Sequence, residues 1–556
     1  MMKKVPLFTS LALLVGGASL DAQAAETDML GYIPANAPYF MATRETLDQQ
    51  EVFEFYQRTM LLGDGLERDL EMLREQRRNE PNEQAQAFLS LMIALGEEFE
   101  DVDTLADFHA RGINVSPNVA LYGLGILPVM RFELEDEAAF RDTFERVVER
   151  AGLEPRTGRV EGTDYWRITP EDDVELMLAI VDGQALVSLI PGDASDELLA
   201  QILGKRLPDE SMEDSGELAE IERRYGFTPL GTGQIRTARV LSELGSPSHP
   251  ATRALLDALG EEPLDLSACQ ADIDRLTGRF PGLTVGSRAY DLRGRSEVNM
   301  IVQTDDEIVR DLRRLVTPVP GLGQREGLAS FGLGLDLPVL LELADTYARQ
   351  IREAPFSCDD LQELNTLWDE TSALTSDPMA MMIAPALSGL NTRIDRIYLA
   401  KGDPMATGLL TLASSNPLTL LENAAAFLPE LNEVALTPNG EPQRIKSRQL
   451  PPQVSSLYAA MSESALALGV GLDDPAEVTR GLRAPAADDD LLLNIFATGD
   501  LYTALADLLT KSPQENVSED DIEWLNHYGE IYDSLEVRVS VGDAGLETSF
   551  AIEMAD

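Results

Sequence analysis

The chain has 556 residues, of which 44% are apolar, so it is long enough for more than one hydrophobic core and too apolar for wholesale disorder. Its formal net charge of −52 comes from 96 acidic against 44 basic residues, which excludes binding to the phosphate backbone of nucleic acids. The excess of acidic side chains predicts a salt-tolerant protein, because screening by salt relieves self-repulsion. A surface that is acidic only for solubility is the alternative.

Residues 1–24 have the pattern of a cleavable signal peptide. Lys3 and Lys4 precede an apolar run over residues 5–20, and small residues at positions 22 and 24 suit a cleavage site. An uncleaved anchor is the alternative, but this run is short for a membrane span of about 20 residues. No later segment is apolar enough to span a membrane. We therefore expect an exported, soluble, periplasmic protein with no transmembrane segment after signal cleavage.

Helical and strand patterns then follow one another along the chain. Helical spacing covers residues 50–60, 66–78 and 82–105, and it returns at 338–352 and 358–374. Residues 128–134 alternate like a strand, and residues 174–181 and 185–190 flank Asp182-Gly183, a dipeptide typical of hairpin turns. Strands and helices segregate without regular βαβ alternation, so the sequence predicts an α+β fold with antiparallel sheets packed by helices.

One pattern occurs twice, at an offset of 280 residues. A helix face at Phe140, Phe144, Val147, Val148 and Ala151 returns as Leu420, Ala424, Phe427, Leu428 and Leu431. Asp136 stands at the N-cap of the first helix, and Asn416 stands at the same place in the second. The sequence therefore predicts two tandem homologous halves, at 25–317 and 328–556. The Pro- and Gly-rich segment 318–327 is the predicted junction.

The only two cysteines, Cys269 and Cys358, fit one disulfide in an oxidising compartment. Such a bond closes a loop of about 90 residues and would hold the two predicted halves in a fixed orientation. A groove between the halves is then the expected place for a site. Two buried free thiols are the alternative.

Motifs for catalysis, cofactors and metals are missing from the sequence. His109, His249 and His527 lack the spacing of a zinc site, so we expect them to be structural or exposed. No nucleophile motif occurs, and the glycines of 231–236 and 321–327 do not match a phosphate loop. The acidic runs 488–490 and 519–521 lack the spacing of a calcium loop. We expect no catalytic, cofactor-binding or metal residues.

Residues 376–387 contain Met379, Met381 and Met382 between two prolines. Thioether sulfurs can line an adaptable apolar groove or bind Cu(I), but the histidines that usually accompany copper are missing nearby. A buried start of a helix is the preferred interpretation.

Residues 32–40 (YIPANAPYF), 165–167 (YWR) and 358–365 (CDDLQELN) resemble segments of uncharacterised exported proteins of Gram-negative bacteria. The resemblance implies export and a two-half layout. It implies no reaction and no ligand.

These patterns favour a non-enzymatic protein that binds a ligand or an envelope partner in the groove between its halves. Two alternatives stay open. One is an envelope glycan hydrolase that uses carboxylates alone, which requires a pair held about 5–9 Å apart. The other is an acidic structural or stress-related envelope protein.

Overall fold

The computed structural model describes residues 29–59, 64–168, 173–264, 266, 269–358, 361–366, 386–400, 402–427, 430–431, 434–446, 456–511 and 517–555. The chain divides into two compact units. Unit 1 is Met1–Ser267 with Pro281–Leu292, and unit 2 is Ala268–Phe280 with Arg293–Asp556. Helices and antiparallel strands occur in both, which confirms the predicted α+β class. The predicted signal peptide and the three methionines of 376–387 lie outside the described residues.

The division into units differs from the predicted junction at 318–327. Residues 268–280 and 293–317, which the sequence analysis assigned to the first half, pack with unit 2. The reason is strand pairing: Arg295–Gln303 forms an antiparallel ladder with Gly545–Met554 near the end of the chain.

Unit 1 is built on one antiparallel sheet. Its strands are β1 (Tyr39–Ala42), β2 (Val119–Leu124), β3 (Leu127–Glu133), β4 (Arg156–Val160), β5 (Thr163–Ile168), β6 (Val174–Val181), β7 (Gln184–Pro191), β8 (Thr232–Arg236) and β9 (Gly282–Ala289). Hydrogen bonding places them in the order β4-β5-β6-β7-β3-β2-β1-β8-β9. The β6–β7 hairpin turns at Asp182 and Gly183, whose φ angles of 52° and 78° suit the tight turn predicted from this dipeptide.

The helices of unit 1 connect these strands. They are α1 (Gln49–Thr59), α2 (Asp64–Asn79), α3 (Glu83–Phe99), α4 (Leu105–His109), α5 (Glu137–Ala151), α6 (Asp196–Ile202), α7 (Met212–Ser215), α8 (Glu217–Tyr225), α9 (Thr237–Gly245) and α10 (Pro250–Leu259). Helix α5 begins as predicted, because the Asp136 carboxylate accepts a hydrogen bond from the Ala139 N–H at 2.7 Å. Its apolar face packs Phe144 and Val148 against Trp166 and Ile180 of the sheet.

Unit 2 also contains antiparallel strands. Its strands are β10 (Arg295–Gln303), β11 (Ala329–Leu333), β12 (Gly389–Ala400), β13 (Asp403–Ala413), β14 (Gln443–Arg444), β15 (Leu457–Met461), β16 (Ala465–Val470), β17 (Leu491–Thr498), β18 (Tyr532–Val541) and β19 (Gly545–Met554). Pairing gives the order β14-β15-β16-β13-β12-β11-β17-β18-β19-β10.

Among the residues described, the helices of unit 2 include α11 (Gln270–Arg279), α12 (Asp306–Leu315), α13 (Leu337–Glu353), α14 (Pro417–Phe427), α15 (Ala476–Arg483), α16 (Gly499–Lys511) and α17 (Glu519–Ile531). Asp305 and Asp336 cap α12 and α13 by accepting hydrogen bonds from backbone N–H groups. These two helices bury Leu315 and Leu343 together with Leu492 and Val541 of the sheet. The acidic run 519–521 forms the first turn of α17, where negative charge stabilises the positive end of the helix dipole.

The strands of the two units pair in a comparable order. In unit 1 the hairpin β2–β3 pairs through β3 with β7, and β7 returns to β6. In unit 2 the hairpin β12–β13 pairs through β13 with β16, and β16 returns to β15. The β6–β7 turn contains two residues between Val181 and Gln184, whereas four residues separate Met461 from its partner Leu466. The Ser462 N–H donates to the Ala465 carbonyl at 2.8 Å, so the second hairpin also closes over two residues, and its register is shifted relative to the offset of 280. The duplication itself stays a prediction.

Candidate binding faces

In unit 1, one face of the sheet carries apolar side chains that are left open to solvent. Val187 lies opposite Met130, Met130 opposite Leu121, and Leu121 opposite Met41 across four neighbouring strands. Because side chains alternate between the two faces of a strand, Leu189 and Ile235 project to the same side. We call this set the unit 1 face: Met41, Leu121, Met130, Val187, Leu189 and Ile235. Leu121, Leu189 and Ile235 are 36%, 40% and 46% exposed.

The buried side of the same strands carries mostly apolar residues, such as Val129 and Leu186, together with the charged Arg131. Arg131 is fully buried, and its guanidinium donates hydrogen bonds to the Tyr122 hydroxyl at 3.2 Å, the Gln184 carbonyl at 3.2 Å and the Ile202 backbone carbonyl at 2.7 Å. The guanidinium also lies 4.0 Å from the centre of the Tyr32 ring, an attractive cation–π distance. The charge of Arg131 is therefore surrounded by uncharged hydrogen-bond acceptors and an aromatic ring.

The strands of unit 2 carry a similar exposed apolar row, and there the neighbouring buried row is polar, which inverts the usual sheet pattern. Val298 lies opposite Phe550, Phe550 opposite Val537, Val537 opposite Ile495, and Ile495 opposite Phe331. We call these five residues the unit 2 face. Phe331 and Ile495 are each 42% exposed and Phe550 is 48% exposed, so the three largest side chains of the row are half in solvent.

The row next to the unit 2 face, on the buried side of the sheet, is polar. It runs across six strands through Asn299, Ser549, Arg538, Asn494, Gly332 and Asn391. Asn299 is 0% exposed and Asn494 is 1% exposed, whereas the neighbouring apolar row is half in solvent. An ordinary half-buried sheet places its apolar face inside and its polar face outside. Contiguous exposed apolar surface of this kind marks interaction sites in soluble proteins.

A separate polar cavity of about 690 Å³ lies within unit 1. The buried Glu243 at its wall accepts hydrogen bonds from the Ser248 hydroxyl and from the Thr252 hydroxyl at 2.6 Å. Burial alone would raise the pKa of Glu243, but these hydrogen bonds lower it below its ordinary value. The Nδ1 atom of His249 accepts the Ala251 N–H at 3.2 Å, so His249 caps α10. Glu243 and His249 therefore both hold the start of this helix.

The other two histidines have local contacts, although the buried Nε2 atom of His527 has no hydrogen-bond partner among the residues described. The Nε2 atom of His109 lies 3.0 Å from the Gln49 side-chain oxygen, and the His527 ring lies 6.2 Å from the Trp524 ring on α17. Among the residues that the structure describes, no group of three or more His, Cys, Asp or Glu side chains is arranged to hold a metal ion. In the same part of the chain no helix combines the length and apolar character needed to cross a membrane.

The two cysteines form the predicted disulfide. Cys269 and Cys358 are bonded, with Cα atoms 5.0 Å apart, and both are buried. The expected position of the bond was wrong in one respect. Both residues belong to unit 2, so the disulfide closes a loop inside that unit and does not join it to unit 1. It links the residue before α11 to the segment that follows α13.

The glycine-containing segments 231–236 and 321–327 and the acidic run 488–490 also have structural roles. Residues 232–236 form strand β8, and residues 321–327 form a loop before β11. The Asp488 carboxylate contacts Arg538. Two other buried carboxylates are held by arginines: Glu98 lies 2.6 Å from Arg146, and Glu536 lies 2.6 Å from Arg325.

No family model and no curated protein matches this chain. One solved structure, crystal form III of TP0453, is similar over 53% of this chain and 88% of its own length. The sequence identity is 10% and the TM-score is 0.24.

Proposed function

We propose that the protein is an exported, non-enzymatic binding protein that docks apolar partners on the open faces of its sheets. The observation that carries this proposal is the inversion in unit 2, where Asn494 is buried and its neighbour Ile495 is half exposed. Complete burial of a large apolar side chain is worth about 1.5–3 kcal/mol, so covering the exposed half of one such residue gains about 1 kcal/mol. A partner that covers either face gains several times this amount.

The chemistry of the partner follows from the faces and the charge. A net charge of −52 repels anionic lipid surfaces and nucleic acids. The proposed partner is therefore an apolar ligand or an envelope protein with an apolar surface of its own. The predicted groove between the halves stays a prediction, and so does the resemblance to exported proteins of Gram-negative bacteria.

Export and duplication belong to this proposal. The signal-like pattern of residues 1–24 and the disulfide support a periplasmic location, because disulfides persist in oxidising compartments. The comparable strand pairing within the two units supports descent from one ancestral unit. The glycan hydrolase and the structural or stress-related protein stay alternatives. The carboxylates that pair with arginines do not specifically favour either of them.

Mass spectrometry of the intact protein, isolated gently from its own source, tests the proposal. We expect a bound apolar ligand or protein that is lost from the variant Ile495→Thr/Phe550→Thr. The control is Phe88→Thr, because Phe88 is 52% exposed but belongs to helix α3 of unit 1 and is not a member of the unit 2 face. The free energies of unfolding of the natural protein, the double variant and the control should lie within about 0.5 kcal/mol of one another, as is usual for surface changes. Recovery of the bare chain alone, or equal occupancy of the variant and the control, contradicts the proposal.

A further inference from the structure

The unit 2 face is the middle row of a wider uncharged surface. Strand pairing places one further row on each side of it, and Thr392 extends the middle row opposite Phe331. We call the three rows together the apolar floor. The two outer rows are Ser296, Ile552, Leu535, Ala497, Ala329 and Ile394, and Met300, Thr548, Val539, Leu493, Leu333 and Leu390. No side chain of the floor is ionisable, and only Ser296, Thr392 and Thr548 are polar.

The apolar floor is open to solvent over its whole extent. Each of its residues is exposed or partly exposed, and none is buried. Neighbouring strands lie about 4.8 Å apart and residues on one side of a strand about 6.7 Å apart, so the floor measures about 30 by 20 Å, or about 600 Å². Charged residues make up 25% of the chain, so an uncharged open surface of this extent is unusual. Apolar patches of this size on soluble proteins are often functional.

Helices bound the two ends of the strands on the same side as the floor. Val541 lies one row beyond Val539 on this side, and it is buried in a core with Leu343 of α13. At the opposite end, Tyr532 lies one row beyond Leu535, and its ring is 5.7 Å from the Tyr528 ring of α17. The floor therefore lies between helices α12 and α13 at one end and α17 at the other.

A further helix bounds the floor along its side. The middle row continues from Thr392 to Leu410 and then to Leu468. There Leu468 packs against the core that contains Leu420 of α14. Because a helix with its side chains is about 10 Å thick, the helices on three sides keep a flat bilayer away from the floor. A single molecule that has left a bilayer can reach it.

The floor offers a partner few groups with which to form hydrogen bonds. A protein interface carries about one hydrogen bond per 100–200 Å², so about three to six are expected over about 600 Å². The strand backbones pair within the sheet, which leaves the hydroxyls of Ser296, Thr392 and Thr548 as the polar groups of the floor. An area of about 600 Å² is also below the roughly 800 Å² per partner of a stable protein interface. Hydrocarbon chains need no hydrogen bonds and suit this surface better than a protein does.

From these observations we propose that the apolar floor holds the two acyl chains of one zwitterionic phospholipid. A floor about 30 Å wide is several times wider than one extended hydrocarbon chain, so two chains fit side by side. The head group stays in solvent, since the floor has no charged side chain to pair with it. It is zwitterionic because a net charge of −52 repels anionic head groups. This inference rests on the proposed docking at the unit 2 face and names its partner.

Transfer of phosphatidylcholine from vesicles to the purified full chain tests the inference. The vesicles contain a radiolabelled trace of the same lipid, and gel filtration separates them from the protein. We expect one bound lipid per protein molecule. At low salt, phosphatidylglycerol with the same acyl chains should transfer about tenfold less, because charge repulsion is then unscreened. Absence of transfer or equal transfer of phosphatidylglycerol overturns the inference. So does elution of the protein with the vesicles, which indicates docking on a bilayer.

Crosslinking locates the bound lipid without any substitution in the protein. A phosphatidylcholine with a photoactivatable diazirine in one acyl chain is loaded onto the full chain and irradiated. Mass spectrometry should place the crosslinks on peptides that contain Phe331, Ile495 or Phe550. Crosslinks confined to other segments contradict the assignment to the apolar floor.

Two matched variants test the floor directly. Ile495→Asp places a charge in the middle row and should lower the amount of bound lipid about tenfold, because the charge would have to lose its hydration under the acyl chains. Ile235→Asp is the control, because Ile235 is also an isoleucine on an open strand, 46% exposed against 42% for Ile495, but belongs to unit 1. Urea unfolding checks that both variants are folded, and if Ile495→Asp is not, the crosslinking result decides. Equal lipid binding by the two folded variants contradicts the inference.

The result is distinguishable from that of the docking proposal. If protein isolated from its own source carries a protein partner that Ile495→Thr/Phe550→Thr loses, but takes up no phospholipid, the docking proposal stands and this inference fails. If it carries no partner and also takes up no phospholipid, both fail.

Discussion

The disulfide offers the sharpest prediction for stability. Cys269 and Cys358 are separated by 89 residues in sequence, and both side chains are almost fully buried. In the chain-entropy account, a bond that closes a loop of this length removes about 4.6 kcal/mol of conformational freedom from the unfolded chain. The variant Cys269→Ala/Cys358→Ala should therefore lose up to about 4.6 kcal/mol of unfolding free energy, and the loss should fall on unit 2.

Urea unfolding followed by hydrogen exchange and mass spectrometry measures this loss in each unit separately. With a urea dependence of about 3 kcal/mol per molar, the midpoint for unit 2 peptides should fall by up to about 1.5 M. Peptides of unit 1 should keep their midpoint, because the bond closes inside unit 2. Reductant should shift the natural protein and leave the double variant unchanged. Equal midpoints for the two proteins, or a loss confined to unit 1, would refute the reasoning.

Three further predictions concern single groups and the overall charge. Burial alone would raise the pKa of Asp272, but the Ser357 hydrogen bonds and Arg275 lower it below its ordinary value. Asp272→Asn should therefore cost about 1.5–3 kcal/mol at pH 7. A lowered folded-state pKa contributes its full stability above the unfolded pKa and loses it as the pH falls through the folded pKa, so this gap should shrink as the pH falls toward 3 in urea titrations. A gap that does not depend on pH would contradict this prediction. Asn494 is buried, and its side-chain amide has no hydrogen-bond partner among the residues described. Asn494→Leu should therefore leave the urea midpoint unchanged or raise it. A loss of more than about 1 kcal/mol of unfolding free energy would contradict this prediction. Because the net charge is −52, the urea midpoint of the natural protein should rise between low salt and molar NaCl. A midpoint that does not change with salt would contradict the prediction that self-repulsion destabilises the protein.

Local signals in the sequence predicted the local structure well. Asp136 caps α5 as expected, and Asp182-Gly183 turns the β6–β7 hairpin, because both depend on interactions between residues close in sequence. The pairing of the two cysteines also followed from their number. The fold class was predictable for the same reason, since it depends on which segments are helices and which are strands.

Contacts between distant residues were not predictable in this way. Strand β10 pairs with β19 at the far end of the chain, and no local pattern specifies this partner. It is this pairing that places residues 293–317 in unit 2 and shifts the division from the predicted junction.

The sheet faces escaped prediction for a different reason. Alternation in a strand identifies two faces but does not tell which one is buried. In β17 the usual assumption places Ile495 inside and Asn494 outside, whereas the structure has the opposite arrangement. One signal was the presence of Asn494 inside β17, whose residues 491–497 are otherwise apolar, because asparagine is depleted from strands.

The most direct test of the central claim is covalent footprinting of the unit 2 face in the native compartment and after purification. Phe331, Phe550 and the control Phe88 are 42%, 48% and 52% exposed, so hydroxyl radicals should label all three comparably in the purified protein. In the native compartment, docking of an apolar partner should protect Phe331 and Phe550 and leave Phe88 labelled as before. Equal labelling of all three residues in both preparations would contradict the account.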